Sequence, residues 1–180
     1  MATTKSVNVT LLDASPRTPL ESGSATGKQR VFQDTVAIVA ADFDADGDIV
    51  QLAEVPSNAK IQSIVIYNDD LDSGTDTAPN VGIYNGGTKF TDGTTAYAAG
   101  GLIDEDAYGS AIDTLQAANT VGVEIAFEAR NINAINNFVW EDCGLAADPQ
   151  TPLRIALTQT ATVGGAAAGD VSIVVTYSVS

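Results

Sequence analysis

The stretch VSIVVTYSV, Val171 to Val179, sets Val171, Ile173, Val175, Tyr177 and Val179 on one side and smaller or polar residues on the other. A period of two held over nine residues is the signature of a half-buried β-strand. The same alternation recurs in VGVEIAF, where Val121, Val123, Ile125 and Phe127 interleave with Gly122, Glu124, Ala126 and Glu128. Working outward, further strands are predicted at Val31 to Ala40, Ile49 to Val55, Ile61 to Tyr67, Val81 to Tyr84 and Leu153 to Thr160, separated by Gly-, Asp- and Asn-rich turns. Seven or more short strands without interleaved helices predict a mainly β chain, an antiparallel sandwich or barrel.

One segment departs from that pattern. In RNINAINNFVWEDCGL, Ile132, Ile135, Val139 and Cys143 fall on one helical stripe, and Gly144 followed by Leu145 reads as a Schellman stop. Ile132, Ala134, Phe138 and Trp140 also share strand parity, and four asparagines lower the helix propensity. The stop signal favours one short α-helix at about 130–143.

Composition limits the chemistry. The chain of 180 residues suits a single domain, contains no histidine and has one cysteine, Cys143. Triads built on histidine and most transition-metal sites are therefore excluded, and no internal disulfide forms. A carboxylate-only site such as a glycosidase pair needs no histidine and stays open, but the balance is against an enzyme. The start MATTKSVNVT has no signal-peptide core, and no run of eighteen apolar residues occurs, so a soluble chain is expected.

Charge divides the chain. Residues 1–30 carry Lys5, Arg17, Lys28 and Arg30 against Asp13 and Glu21, whereas residues 31–180 carry four cations against 21 acids. An acidic body repels nucleic acid and anionic membranes. With the breakers SPRTP and ESGSATG, residues 1–30 read as an extended arm whose four cations could lie along an acidic partner surface, ahead of a β domain at 31–180.

Several motifs compete with simpler readings. Asp42, Asp44, Asp46 and Asp48, with Gly47, open like a calcium loop, yet position 12 is Ala53 and Glu54 comes one residue late. A weak structural calcium and a bare acidic turn both remain open. Asp72-Ser73-Gly74-Thr75 matches the aspartic-protease tetrapeptide but has no second copy, and reads as a solvated hairpin turn. Asp104-Glu105-Asp106 reads as a solvated acidic loop, Asn85-Gly86-Gly87 as a turn, and Gly164 to Gly169 as a small-residue connection between strands. Cys143, on an apolar stripe beside Glu141 and Asp142, should be an inert thiol. Trp140 and the tyrosines read as packing residues ahead of a sugar platform.

The run Asp46 to Ile61, then Asn68-Asp69-Asp70-Leu71, Val81-Gly82-Ile83-Tyr84, Phe138 to Leu145 and the final strands at Leu153 to Leu157 and Val171 to Tyr177 resemble, in this order, small structural proteins of tailed bacteriophages. Many of these are capsid decoration, or cement, proteins. The resemblance spans roughly residues 34–179 and implies a jelly-roll β-sandwich that assembles as a homotrimer and binds the major capsid protein on the outer surface of a virion assembled in the host cytoplasm. It implies no catalytic site and no cofactor. A second reading is a β-sandwich receptor- or glycan-binding module of a phage fibre or tail.

Overall fold

The computed structural model describes residues 28–179, together with Pro16. Among the described residues ten strands follow in order: β1 Lys28–Ile38, β2 Ile49–Val55, β3 Ala59–Asn68, β4 Asn80–Asn85, β5 Phe90–Asp92, β6 Thr95–Tyr97, β7 Leu102–Gly109, β8 Asn119–Glu124, β9 Leu153–Thr158 and β10 Gly169–Val179. Pairing is nested. β1 pairs with β10, β2 with β9, β3 with β8, β4 with β7 and β5 with β6, all antiparallel. The chain is thus one long hairpin with β5–β6 at its tip, and two cross-pairings, β10 with β3 and β4 with β9, wrap it into sheets of order β1-β10-β3-β8 and β2-β9-β4-β7. That is a jelly roll, two four-stranded sheets packed face to face.

The alternation seen in the sequence sets the packing. Val171, Ile173 and Val175 of β10, Ile61, Ile64 and Ile66 of β3, and Ile83, Ile155 and Leu157 of the opposite sheet are all buried between the sheets. Each such side chain contributes about 1.5–3 kcal/mol. In the β10–β3 pair parity breaks where Thr176 pairs with Ser63 but Tyr177 with Ile61, so Gln62 is a bulge, and beyond it Ser178 is buried while Tyr177 is only partly so.

Other expectations are corrected. The predicted helix at 130–143 shrinks to a 3-10 turn at Ile132–Ala134 and a four-residue helix α1, Val139–Asp142. Ile132 and Ile135 are 79% and 58% exposed while Val139 is buried, so the stripe was half accidental. The stop was real. Gly144 has φ +70°, and the amides of Gly144 and Leu145 reach back to the carbonyls of Glu141 and Trp140. In β8, Val121 is 88% exposed because Gly122 adopts φ +86° and turns the edge strand off parity. Asp104-Glu105-Asp106 is no loop but the middle of β7, an edge strand, where charges are tolerated because one flank lies open. The domain boundary also moves: Lys28 and Arg30 lie within β1, paired with Val179 and Tyr177, so they belong to the sandwich rather than to an arm.

Candidate functional site

Among the described residues, the places where chemistry could reside include three carboxylate clusters and the Ser57–Asp148 pair beside a groove; Ser63 also donates to the Glu124 carboxylate, at the exposed β3–β8 edge. In the acidic turn, Phe43 drives into the core and fixes what surrounds it. Asp48 accepts the amide of Ala45 at 2.8 Å, the Asp44 carbonyl accepts from Val163, and Gly47 at φ +86° donates to the Gln159 carbonyl. Asp42 and Asp46 are exposed, and Asp44 and Asp48 half-buried. Among the described residues, no group of three or more acidic, cysteine or histidine side chains converges tightly enough to hold a metal ion. The turn is closed by the Asp48 side chain together with backbone bonds from Gly47 and to the Asp44 carbonyl, and Asp42, Asp44, Asp46 and Asp48 form no such group.

Asp72 differs from its predicted role. It is buried, not solvated: Oδ1 accepts the amide of Gly74 at 2.8 Å, and Oδ2 accepts those of Asp76 and Thr77 at 2.6 and 2.7 Å. Burial pushes its carboxyl up, but the backbone donors outweigh it and leave the group below the ordinary carboxylate value. The loop is fastened to the Gly-Ala connection by a bridge between Asp72 and Ala166 and by the Ser73 amide on the Gly165 carbonyl. Small residues are required there, since a Cβ on Gly165 would stand 2.9 Å from Asp72 Oδ1. Among the described residues the Asp72 side chain has no carboxylate partner, and both of its oxygens are taken by amides of its own loop, where a protease aspartate would share a proton with a second carboxyl.

The third cluster carried no motif or period in the sequence. Arg130, in an otherwise acidic body, lies buried against Asp142 of α1: Nε and Nη2 reach its two oxygens at 3.0 Å, and Nη1 and Nη2 also donate to the carbonyls of Ile61 and Ala134. Tyr108 donates its hydroxyl to Asp142 at 3.1 Å, and the guanidinium lies over the Phe127 ring, 4.9 Å from its centroid. Burial raises Asp142 to about 6 despite the arginine, and raises Tyr108 well above its ordinary value. A cavity of about 390 Å³, also lined by Asp104, Asp106 and Glu141, opens beside it. The adjoining Cys143 thiol is pushed by burial to about 12, so it is held as an unreactive thiol.

Ser57 donates to Asp148 at 2.5 Å on the wall of a groove of about 460 Å³. With no histidine in the chain to take the serine proton, and with Asp148 Oδ1 also accepting the Gln150 amide, this pair tethers two loops. The aromatics are used in packing. Tyr84 and Tyr108 are buried, and Trp140 stacks on Phe138 against the core. Of the four arm cations, Lys28 and Arg30 stand exposed on β1, and Lys5 and Arg17 lie outside the described residues.

The sequence matches no protein-family model and none of the curated proteins. The fold has solved counterparts. A chain of the cyanophage Pam1 capsid asymmetric unit superposes with a TM-score of 0.55 at 15% identity, over 93% of this chain and 97% of that one. A chain of the capsid of Ralstonia phage GP4 superposes with a TM-score of 0.52 at 16% identity, over 90% of both chains. At this identity the likeness is one of fold: this jelly roll is built like whole chains found in two phage capsids.

Proposed function

We propose that this protein is a structural component of a phage virion, a decoration protein that binds the major capsid shell from outside and stabilises it as a trimer. The observation that carries this reading is the near-complete mutual coverage of the Pam1 chain, 93% against 97%, which leaves little of either chain outside the shared fold. The chemistry of the clusters agrees with it, because each buried carboxylate is occupied in tethering loops. An acidic body of few cations would also limit non-specific association while favouring a shell surface of complementary charge. A trimer would bridge shell subunits, so that internal pressure must break more contacts per subunit.

The test is to purify virions from the phage that encodes the chain, identify the chain by peptide mass spectrometry, and locate it by cryo-electron microscopy. Stoichiometric density on the outer shell at three-fold positions is expected. Absence from the particle overturns the reading, and density confined to tail or fibre moves the chain to an adhesive role. Sedimentation of the purified chain as a monomer at every concentration would remove the preformed trimer.

A further inference from the structure

Among the described residues, the large apolar side chains left exposed gather at two places, and none belongs to the inner strands β10, β3, β9 and β4. Val31, Val39 and Ile49 lie on or next to β1 and β2, the edge strands at one flank of the two sheets. Leu102, Val121 and Val123 lie on β7 and β8, the edge strands at the other flank. Ile132 and Ile135 join this second group, because Arg130 donates to the Ala134 carbonyl beside them while its guanidinium sits 5.9 Å from the Tyr108 ring centroid of β7. Sheet edges that stay alone in water are blunted with charge, and apolar groups gathered there mark a surface that is covered in use.

Charge differs between the flanks in the sense that an unlike pairing needs. Lys28 and Arg30 stand exposed at the start of β1. On the other flank Asp104, Asp106 and Glu141 line the cavity of about 390 Å³, and the arginine there, Arg130, is already paired with Asp142 at 3.0 Å. Strand register sets the matching groups at equal heights along the sandwich. Lys28 pairs with Val179 and Val179 with Ala59, and the Trp140 amide of α1 reaches the Ser57 carbonyl, so the cations and the acidic cavity share one end. Val121 follows Asn119, which pairs with Asn68 and through Val171 is level with Val36, so Val121 shares the other end with Val39 and Ile49. We infer that a second copy of this chain covers these flanks head to tail: the β1–β2 flank of one copy meets the β7–β8 flank of the next, with Lys28 and Arg30 beside the acidic cavity and Val39 and Ile49 against Val121. Both halves of the complementary pair stand on this one chain at matching heights, which favours a second copy over an unrelated partner. A contact between unlike surfaces is heterologous, and repeated at the right rotation it closes a ring. The inference rests on the trimer reading, to which it supplies the interface, and needs no shell.

Sedimentation and crosslinking of the full chain test it. Lys28→Glu with Arg30→Glu should raise the concentration at which the trimer is half dissociated by at least about tenfold, since like charges then face each other, and adding Asp106→Lys should recover part of that loss. All three side chains are exposed, so their exchange leaves the core untouched. A trimer as tight in the reversed variant as in the wild type overturns the inference and leaves the trimer reading standing, whereas a wild-type chain that stays monomeric at every concentration overturns both. In the second measurement, a photo-crosslinking residue replaces Val121 in a mixture of isotope-labelled and unlabelled chains. Mixed-isotope crosslinks into 28–39 or 49–55 are expected. Mixed-isotope crosslinks into 102–135 would make the contact one between like flanks, and crosslinks within single chains only would leave the flank uncovered, each outcome overturning the inference.

Discussion

Asp72 and Asp142 are both withdrawn from water, yet they titrate in opposite directions. Asp72 has no cation beside it and collects three amides from its own loop, so its charge is held by dipoles fixed in the backbone, and its carboxyl falls below the ordinary value. Asp142 has a full guanidinium and a tyrosine hydroxyl, yet rises to about 6 because burial outweighs them. Burial therefore does not decide the sign. What decides it is how many donors already point at the charge when the chain folds, and how much water had to leave. The first is a local device that ties a loop; the second joins β7, the connection after β8, and α1, which are distant in sequence.

The largest difference should appear on truncation. Asp142→Ala leaves Arg130 buried and unpaired, a loss of about 3–5 kcal/mol. Thermal unfolding of a chain of this size should fall by roughly 10 °C or more. Asp72→Ala strands three amides in a loop at the surface, where water can reach some of them, and should cost about 2 kcal/mol. Replacing both charges, as Arg130→Met with Asp142→Leu, should recover most of the loss. If the double variant is as unstable as the single one, the ion pair organises the region beyond its charge.

The next difference is in pH. Asp142 binds its proton more tightly folded than unfolded, so between 3.8 and about 6 the folded state carries the extra proton, and stability falls as pH rises through that window. After allowance for partial screening the fall amounts to about 2 kcal/mol. Asp72 has the reverse sign: its contribution is present above 3.8 and is lost as pH falls below that value. Melting curves from pH 3 to 7 should show Asp142→Asn flattening the slope between 4 and 6, and Asp72→Asn flattening the acid limb alone. Equal effects of the two variants in one window would break the distinction.

Smaller still is the effect of the wall behind Asp72. A Cβ on Gly165 would meet Ser73 Oγ at 2.7 Å and Asp72 Oδ1 at 2.9 Å, whereas on Gly164 the nearest atom is Asp76 Oδ2 at 3.7 Å. Gly165→Ala should cost about 1–2 kcal/mol and Gly164→Ala almost nothing, as read by chemical denaturation. The contrast isolates crowding of the carboxylate from any general effect of stiffening a glycine loop.

The two regions also differ in what the sequence disclosed. Strand alternation at Val171 to Val175 and Ile64 to Ile66 survived folding because each lies in an inner strand whose one face must meet the core. It misled at Val121 and failed to mark β7, because edge strands carry charges and kinks that erase the period. Asp72 stood in a conspicuous tetrapeptide, and its fate was legible only in part: an Asp followed by Gly74 and Thr77 suits a side chain that caps its own loop, but burial depended on Gly165 arriving from far along the chain. Arg130 and Asp142 gave no period or motif, since their meeting is a product of the jelly roll. The one usable sign was an arginine in a body with so few cations.

The acidic turn supplies the limiting case, a set of carboxylates neither buried nor gathered. Asp44 and Asp46 accept no hydrogen bond needed to close the turn, which is held instead by Asp48, the Asp44 carbonyl and Gly47. Asp44→Ala with Asp46→Ala removes two negative charges from a crowded acidic stretch, so stability should change by no more than about 0.5 kcal/mol, in the stabilising direction. Calcium at about 10 mM should then raise the melting temperature of wild type and double variant alike, by screening of the acidic body. A shift of roughly 3–6 °C in the wild type alone, the response of a site with Kd of about 1 mM, would mean that the four aspartates gather around an ion after all. In that event the comparison gains a third kind of carboxylate, one whose charge is balanced by neither dipoles nor arginine but by a ligand.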